Sequence, residues 1–196
     1  RSPHAQAKIK SIDTSKAKLI PGVEAIFTYE DVPNTRFTLA GQTYPEPSAY
    51  DALILDPVVR YVGDEVALVV AKDEATALKA MPLIKVEYEV QKPVLDLRTA
   101  IDHETVVHPE DDILNHIPVG QDYKRNICVS YHKRVGDIEG ELAKCDYVVE
   151  GTYFDQATRQ SAMEPFQSFG YIDHLGRIVI VSSTQIVFHV RRHIAR

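Results

Sequence analysis

Apolar and polar positions alternate from residue 5 to residue 9 in "HAQAKIKSID", the pattern of a strand with one face in a core and the other in water. Thr14 stands where a short helix would be capped, and Pro21-Gly22 would end it. A second strand is expected over residues 23–28. Residues 32–57 contain Pro33, Pro45, Pro47 and Pro57 and show little periodicity, which reads as an ordered loop with room for a short strand. The clearest unit spans residues 64–90. An apolar, β-branched run at 66–71 leads to Asp73, placed to cap a helix through Met81, after which Val86, Tyr88 and Val90 alternate with charged neighbours. The expectation is a β-α-β unit with a right-handed crossover. Pro82 lacks the N–H that a continuing helix needs, so the last turn should be cut short there.

Residues 96–134 are polar and loop-like, and read as a linker between two structural units. His103, His108 and His116 lie in this stretch beside acidic residues and are expected to face solvent. Beyond it, "GDIEGELAKC" places Ile138, Leu142 and Cys145 on one helical face, with Cys145 suited to a small apolar core position, and "DYVVEGTYF" alternates as a strand. The segments "EPFQSFGYID" and "RIVIVSS" flank a turn in which Asp173 and Gly176 fit, the signature of a β-hairpin. At Thr184 and Gln185 the chain passes into an amphipathic helix with Ile186, Val190 and Ile194 along one face.

The chain has 196 residues and 44% hydrophobic composition, enough to bury a core in one large domain or one domain and part of another. Twenty-two basic against 28 acidic residues give a net charge of -6 without a basic cluster outside the C-terminus, which argues against nucleic-acid binding. No apolar run approaches the roughly 18 to 20 residues of a membrane span, and the default location is the cytoplasm. Cys128 and Cys145 lack CxxC spacing and read as ordinary thiols. The opening "RSPHAQAKI" has no initiator methionine, and the close on Arg196 has no C-cap glycine, so the chain is expected to be a piece of a longer one.

Candidate chemistry is sparse. His189 and His193 are four apart on the last helix, but zinc needs further ligands and no HExxH glutamate lies between them, so no metal ligand is assigned. Neither GxGxxG, a Walker loop nor GxSxG occurs, which removes motif support for dinucleotide, triphosphate or serine-nucleophile chemistry. Asp111-Asp112 and the acids of "EYEV" are spaced for solvent. Two stretches stand out. In "QATRQSAMEPFQSF", Glu164 precedes Pro165 at the entrance of a strand of low charge, where its carboxylate is either solvated in a turn or hydrogen-bonded. In "SSTQIVFHVRR", Gln185 sits at a strand-to-helix junction beside free N-terminal amides, a place suited to anionic groups. On geometry alone the better reading of that junction is a plain capping region, with Thr184 as N-cap and Gln185 as first-turn filler.

The strings "RSPHAQAKIKSID", "PGVEAIFTYEDVP", "VRYVGDEVALVVA", "IKVEYEV" with "PVLD", "VGDIEGELAKCDYVVEGTY", "MEP" and "SSTQIVFHVRR" occur in this order. Together they resemble the molybdenum-binding large subunit of the xanthine dehydrogenase and aldehyde oxidase family, over nearly the whole chain. "GQTYPEPSAYDALILD" is similar to the bacterial, separate-subunit xanthine dehydrogenase branch. The resemblance implies an α/β (α+β) fold: an α/β-hammerhead domain at 1–94 without its first strand, a linker at 95–124, and the truncated start of a molybdopterin-binding domain at 125–196.

It also implies a molybdenum cofactor, in the cytosine dinucleotide form, and hydroxylation of a purine, another heterocycle or an aldehyde with oxygen from water. Electrons would pass to iron-sulfur and FAD subunits. Gln185 matches the family glutamine that hydrogen-bonds an oxygen ligand of molybdenum, and Glu164 matches the glutamate of "MEP", which would support structure near the cofactor. Gln160 holds the place, three residues before Met163, where the family carries His or Gln. The family's "GGGFGGKE"-type loop and late catalytic glutamate do not occur, so no catalytic residue is assigned and the isolated chain should not turn over. A non-catalytic scaffold or interaction module that reuses the hammerhead fold is the competing reading.

Overall fold

A computed structural model describes residues 1–39 and 43–195. Residues 40–42, which belong to the proline-rich stretch and to "GQTYPEPSAYDALILD", and Arg196 at the chain's close lie outside the described residues. The structure divides into two units, Arg1–Tyr131 and His132–Arg196.

In the first unit, strand β1 (Ala7–Asp13) buries Ala7 and Ile9 and exposes Lys8 and Lys10, as the alternation requires. Helix α1 (Ser15–Lys18) follows; Thr14 occupies the capping position but makes no cap bond, and Asp13 Oδ1 instead accepts the Ser15 N–H at 2.9 Å. Strands β2 (Val23–Phe27), β3 (Val58–Val59), β4 (Leu68–Ala71) and β5 (Lys85–Val90) complete two sheets. The larger has the order β3-β1-β5, with Ala7 opposite both Val59 and Val90, and is antiparallel throughout. The smaller pairs β2 with β4, also antiparallel.

Helix α2 (Glu74–Ala80) starts as expected: Asp73 Oδ1 accepts the Thr76 N–H at 2.8 Å, a bond that holds the carboxyl below its ordinary value. Pro82 has the effect read from the sequence, since α2 ends at Ala80 and a 3-10 turn, Met81–Leu83, replaces its last turn. The β-α-β expectation is corrected. β4 and β5 flank α2 but lie in different sheets, because each finds an antiparallel partner made earlier in the chain, β2 for the one and β1 for the other. The crossover rule governs parallel strands of one sheet and does not apply here.

Two small cores result. Ala7, Ile9, Val59 and Val66 pack together under Ile12, Val86 and Tyr88, while Ala17, Ile26 and Ala80 pack under Val69 and Leu83. Complete burial of a side chain such as Val59 is worth roughly 1.5–3 kcal/mol.

Residues 95–131 belong to the first unit and are held by side chains and by short backbone bridges such as that of Tyr50 with Leu114. Asn126, in the left-handed region at φ 59°, donates to Ala100 O and Thr105 O and accepts the Val107 N–H at 2.8 Å, so one amide ties three turns together. The Asp102 carboxylate takes both Nε and Nη2 of Arg125 at 2.7 and 2.8 Å. The solvent-facing reading of the histidines is also corrected for two of the three. His103 Nδ1 accepts the Thr105 N–H at 3.0 Å, and His108, half-buried, approaches Glu110 at 3.5 Å. His116 is exposed, though its ring stands edge-on to that of Tyr50 at 4.9 Å.

The second unit contains α3 (Ile138–Leu142), the hairpin β6 (Ser168–Ile172) and β7 (Ile178–Ser182), and α4 (Val187–Ile194). Asp137 Oδ1 caps α3 by accepting the Gly140 N–H at 3.1 Å. Two expectations fail in this unit. Cys145 is exposed rather than in a core, and residues 146–162 form neither helix nor strand. The physical reason is common to both. A helical stripe or an alternating strand needs a partner surface to bury its apolar face and pair its backbone, and among the described residues none of the fully buried apolar side chains belongs to this unit.

Candidate functional site

The β6–β7 hairpin positions the two residues singled out from the sequence. Its register runs from Ser168 opposite Ser182 to Ile172 opposite Ile178. At the turn, Asp173 Oδ1 accepts the Leu175 and Arg177 N–H groups at 2.8 and 2.9 Å, and Gly176 takes a φ of 76°. The Arg177 N–H and guanidinium hold the Asp173 carboxyl below its usual range.

Beyond the other end of the ladder, the Ser183 N–H donates to Gln167 O at 3.1 Å and the Gln167 N–H donates to Ser183 Oγ at 3.2 Å. This pairing brings the chain around Glu164 and the chain around Gln185 to the same end of the hairpin, three residues before Gln167 and two after Ser183. Both side chains are exposed, as is Gln160, and among the described residues no hydrogen bond joins them.

The junction differs from the capping pattern considered above. Thr184 Oγ1 accepts the Ile186 N–H at 3.0 Å, closing a small turn before the helix, and Ile186 rather than Thr184 occupies the N-cap position. Gln185 therefore lies outside α4. The N-cap residue Ile186 makes no side-chain cap bond, and Gln185 is the residue immediately before it. The last turn carries Arg191, Arg192 and His193, the placement of charge that the helix dipole favours. The His189 and His193 rings stand edge to face at 4.3 Å. Val187, Val190 and Ile194 of α4 face Ile178 and Ile180 of β7 across an open groove of about 820 Å³.

A charged cluster in the first unit was not anticipated. Arg60, its side chain 11% exposed, follows β3. Its Nη1 donates to Asp56 Oδ2 at 2.7 Å and to Val58 O at 3.1 Å, its Nε donates to Val107 O at 3.1 Å, and its Nη2 pairs with Glu110. Burial raises the Glu110 pKa, but the His108 hydrogen bond and the Arg60 charge outweigh it and hold the group at about 2. Burial likewise works against the charge on Arg60, and its two carboxylates more than restore it. The sequence carried a weak signal of this arrangement, an Asp four residues before an Arg in a strand-bounded loop, but nothing pointed to a Glu fifty positions away. Beside the cluster, His108, Val107, Asn126, Tyr123 and Cys128 help line a cavity of about 580 Å³.

Residues 1–92 match the family model described as the a/b hammerhead domain of aldehyde oxidase and xanthine dehydrogenase, and residues 119–196 match that of the molybdopterin cofactor-binding domain. A probable hypoxanthine oxidase of Escherichia coli O157:H7 is 37% identical over 220 aligned positions, covering all of this chain and 23% of that protein. The xanthine dehydrogenase molybdenum-binding subunit of the same organism is 33% identical over 197 positions, covering 98% of this chain and 24% of its own length. Quinoline 2-oxidoreductase from Pseudomonas putida 86 superposes with a TM-score of 0.72 at 27% identity, over all of this chain and 24% of the other. The chain thus spans about a quarter of the length of these relatives. Among the described residues, no helix is long and apolar enough to cross a membrane.

Proposed function

The chain belongs to the aldehyde oxidase and xanthine dehydrogenase family of molybdenum-binding subunits, and from that premise we propose that it serves a molybdenum hydroxylase acting on a purine or related heterocycle. The observation that carries the reading is the succession, on one chain, of a hammerhead match and a molybdopterin-domain match. The proposed boundaries are 1–94 for the hammerhead domain, 95–124 for the connection and 125 onward for the cofactor domain. Relatives named for hypoxanthine and xanthine support a purine over the aldehyde alternative. Electron transfer to iron-sulfur and FAD subunits, a cytosine dinucleotide form of the cofactor and a cytoplasmic location complete the proposal.

The residues at the hairpin end fit such a group. An exposed carboxamide beside a helix start without a side-chain cap offers N–H donors to oxygen ligands or phosphates. Gln185 would hold an oxygen of the cofactor by hydrogen bond, and Glu164, at the same end of the hairpin, would support the local chain. When bound, the molybdenum group supplies the two-electron oxidation by which a carbon is hydroxylated with oxygen from water. The isolated chain lacks a candidate base and is proposed to be inactive.

In the full-length assembly, Gln185→Ala is expected to lower turnover while folding and molybdenum content persist; unchanged turnover at full molybdenum content would remove the residue from the site. Elemental analysis of the 196-residue chain should find far less than one molybdenum per chain. About one, together with activity, would overturn the proposed inactivity. A reading frame continuing into a glycine-rich cofactor loop and a late glutamate favours the hydroxylase; a stop codon after Arg196 favours a non-catalytic module.

A further inference from the structure

The cavity of about 580 Å³ in the first unit is lined by none of the residues that the proposed chemistry uses. Residues 47–51 supply part of its wall, and residues between 94 and 129 supply the rest. Both stretches are fixed by bonds already made. The Tyr50 N–H donates to Leu114 O at 2.9 Å, Arg36 Nη1 donates to Asp51 O at 3.0 Å, and the Asn126 amide binds Ala100, Thr105 and Val107. Its volume falls in the range of small-molecule sites, roughly 300–1,000 Å³.

The lining has the composition of such a site. Val94, Ala100, Val107, Val119 and Val129 make most of it apolar, and the Asp51 carboxylate is its one acid. Asp51 is half-buried, and among the described residues its carboxylate has no hydrogen-bond or ion-pair partner. No Lys or Arg lines the cavity, and the Arg36 guanidinium that holds the Asp51 backbone pairs with Asp112 at 2.8 Å. The Tyr123 hydroxyl donates to Asn115 Oδ1 at 2.7 Å, which leaves its oxygen free to accept. Burial pushes that hydroxyl's pKa up and the Asp51 charge adds to the rise, against the pull of the Asn115 bond, so phenol and carboxylate are neighbours. Ser48 offers a further oxygen in the same wall.

We infer that this cavity is a binding site for a small organic ammonium ion carried on an apolar body, an arylalkylamine by chemical class. The ammonium donates to the Asp51 carboxylate, with the Tyr123 and Ser48 oxygens as further acceptors, and the aryl body displaces water from the valine-rich wall. A charge-assisted bond in such half-enclosed, apolar surroundings is stronger than one at an open surface. A neutral molecule of the same shape keeps the apolar contact and loses the charge. An anion meets Asp51 with no cation to receive it.

Three indole probes that differ in charge test the site on the 196-residue chain: tryptamine, the alcohol tryptophol and indolepropionate. Amide NMR follows Val107 and Asn126 at the cavity, with Ile9, bound to Pro57 O in the sheet, as the signal that should stay still. Tryptamine is expected to give saturable shifts at the cavity amides with a millimolar Kd or tighter. It should bind roughly tenfold more tightly than tryptophol, with indolepropionate weakest of the three. In Asp51→Asn, tryptamine should fall to the level of tryptophol. Equal binding of tryptamine and tryptophol, a tryptamine affinity that Asp51→Asn leaves unchanged, or shifts confined to the exposed apolar faces of the second unit would each overturn the proposal. Should the variant fail to fold, the comparison of the three probes on the wild type decides alone.

Discussion

The two units of this chain are built from the same sequence signals and behave differently. In residues 1–131, alternation and helical stripes end up covered: Ala7, Ile9 and Val66 meet across β1 and β4's approach, and Ala17 and Ala80 meet between the two helices. In residues 132–195, equally clear patterns remain exposed: Val149, Tyr153 and Phe154 lie nine-tenths open to solvent, and Met163 and Phe166 even more so. Periodicity specifies which face an element would bury. It is silent on whether the covering surface is present. Among the described residues the first unit holds all of the fully buried apolar side chains, whereas the second leaves its apolar faces in solvent.

This contrast can be broken by experiment. The largest effect is expected from Val59→Asp, which places an unpaired charge in the closed core; it should cost about 4 kcal/mol in urea denaturation of the first unit. Arg60→Met comes next. It leaves Asp56 and Glu110, both largely covered, facing each other without a cation, and should cost about 2–3 kcal/mol by the same measure.

Acid titration follows. Glu110 has its folded pKa depressed to about 2 from the ordinary 4.5, so the stability it contributes is fully present above the ordinary value and is lost as pH falls from there toward 2. Denaturation midpoints between pH 5 and pH 2 should fall more steeply in the wild type than in Glu110→Gln. Asp73→Ala should fray α2, seen as faster exchange at Thr76, by less than any of these. The smallest change is expected for Ile180→Asp on β7, within about 0.5 kcal/mol of the hairpin's stability by exchange of its paired amides. An Ile180→Asp effect as large as that of Val59→Asp would erase the distinction between the units.

How far the sequence reads ahead of the structure follows the same division. β1, β5, α2 with its Asp73 cap, the shortened turn at Pro82 and the 173–177 hairpin turn were all legible, because each rests on local chemistry. Sheet membership was not, since pairing β5 with β1 instead of β4 depends on which partner is free, a non-local question. The solvent-facing reading failed at His108 for the same reason: only the fold brings Arg60 to residues 107–110. Thr184 was misread as a cap because an oxygen two residues before an N–H serves a turn as well as a helix. At the candidate site, the hairpin that carries Glu164 and Gln185 to one end was legible, and the strand expected over 146–154 did not form.

The order of the larger sheet has a consequence for how the protein is made. β1 is its central strand, yet its neighbours are β3 and β5, so Ala7 must wait for Val59 on one side and Val90 on the other. As the chain leaves the ribosome, β1 emerges before both of its neighbours, and its backbone groups are left to water until some eighty further residues have appeared. Pairings so distant along the chain pay their loop entropy early and return it late, which makes closing this sheet the slow step of the unit's assembly.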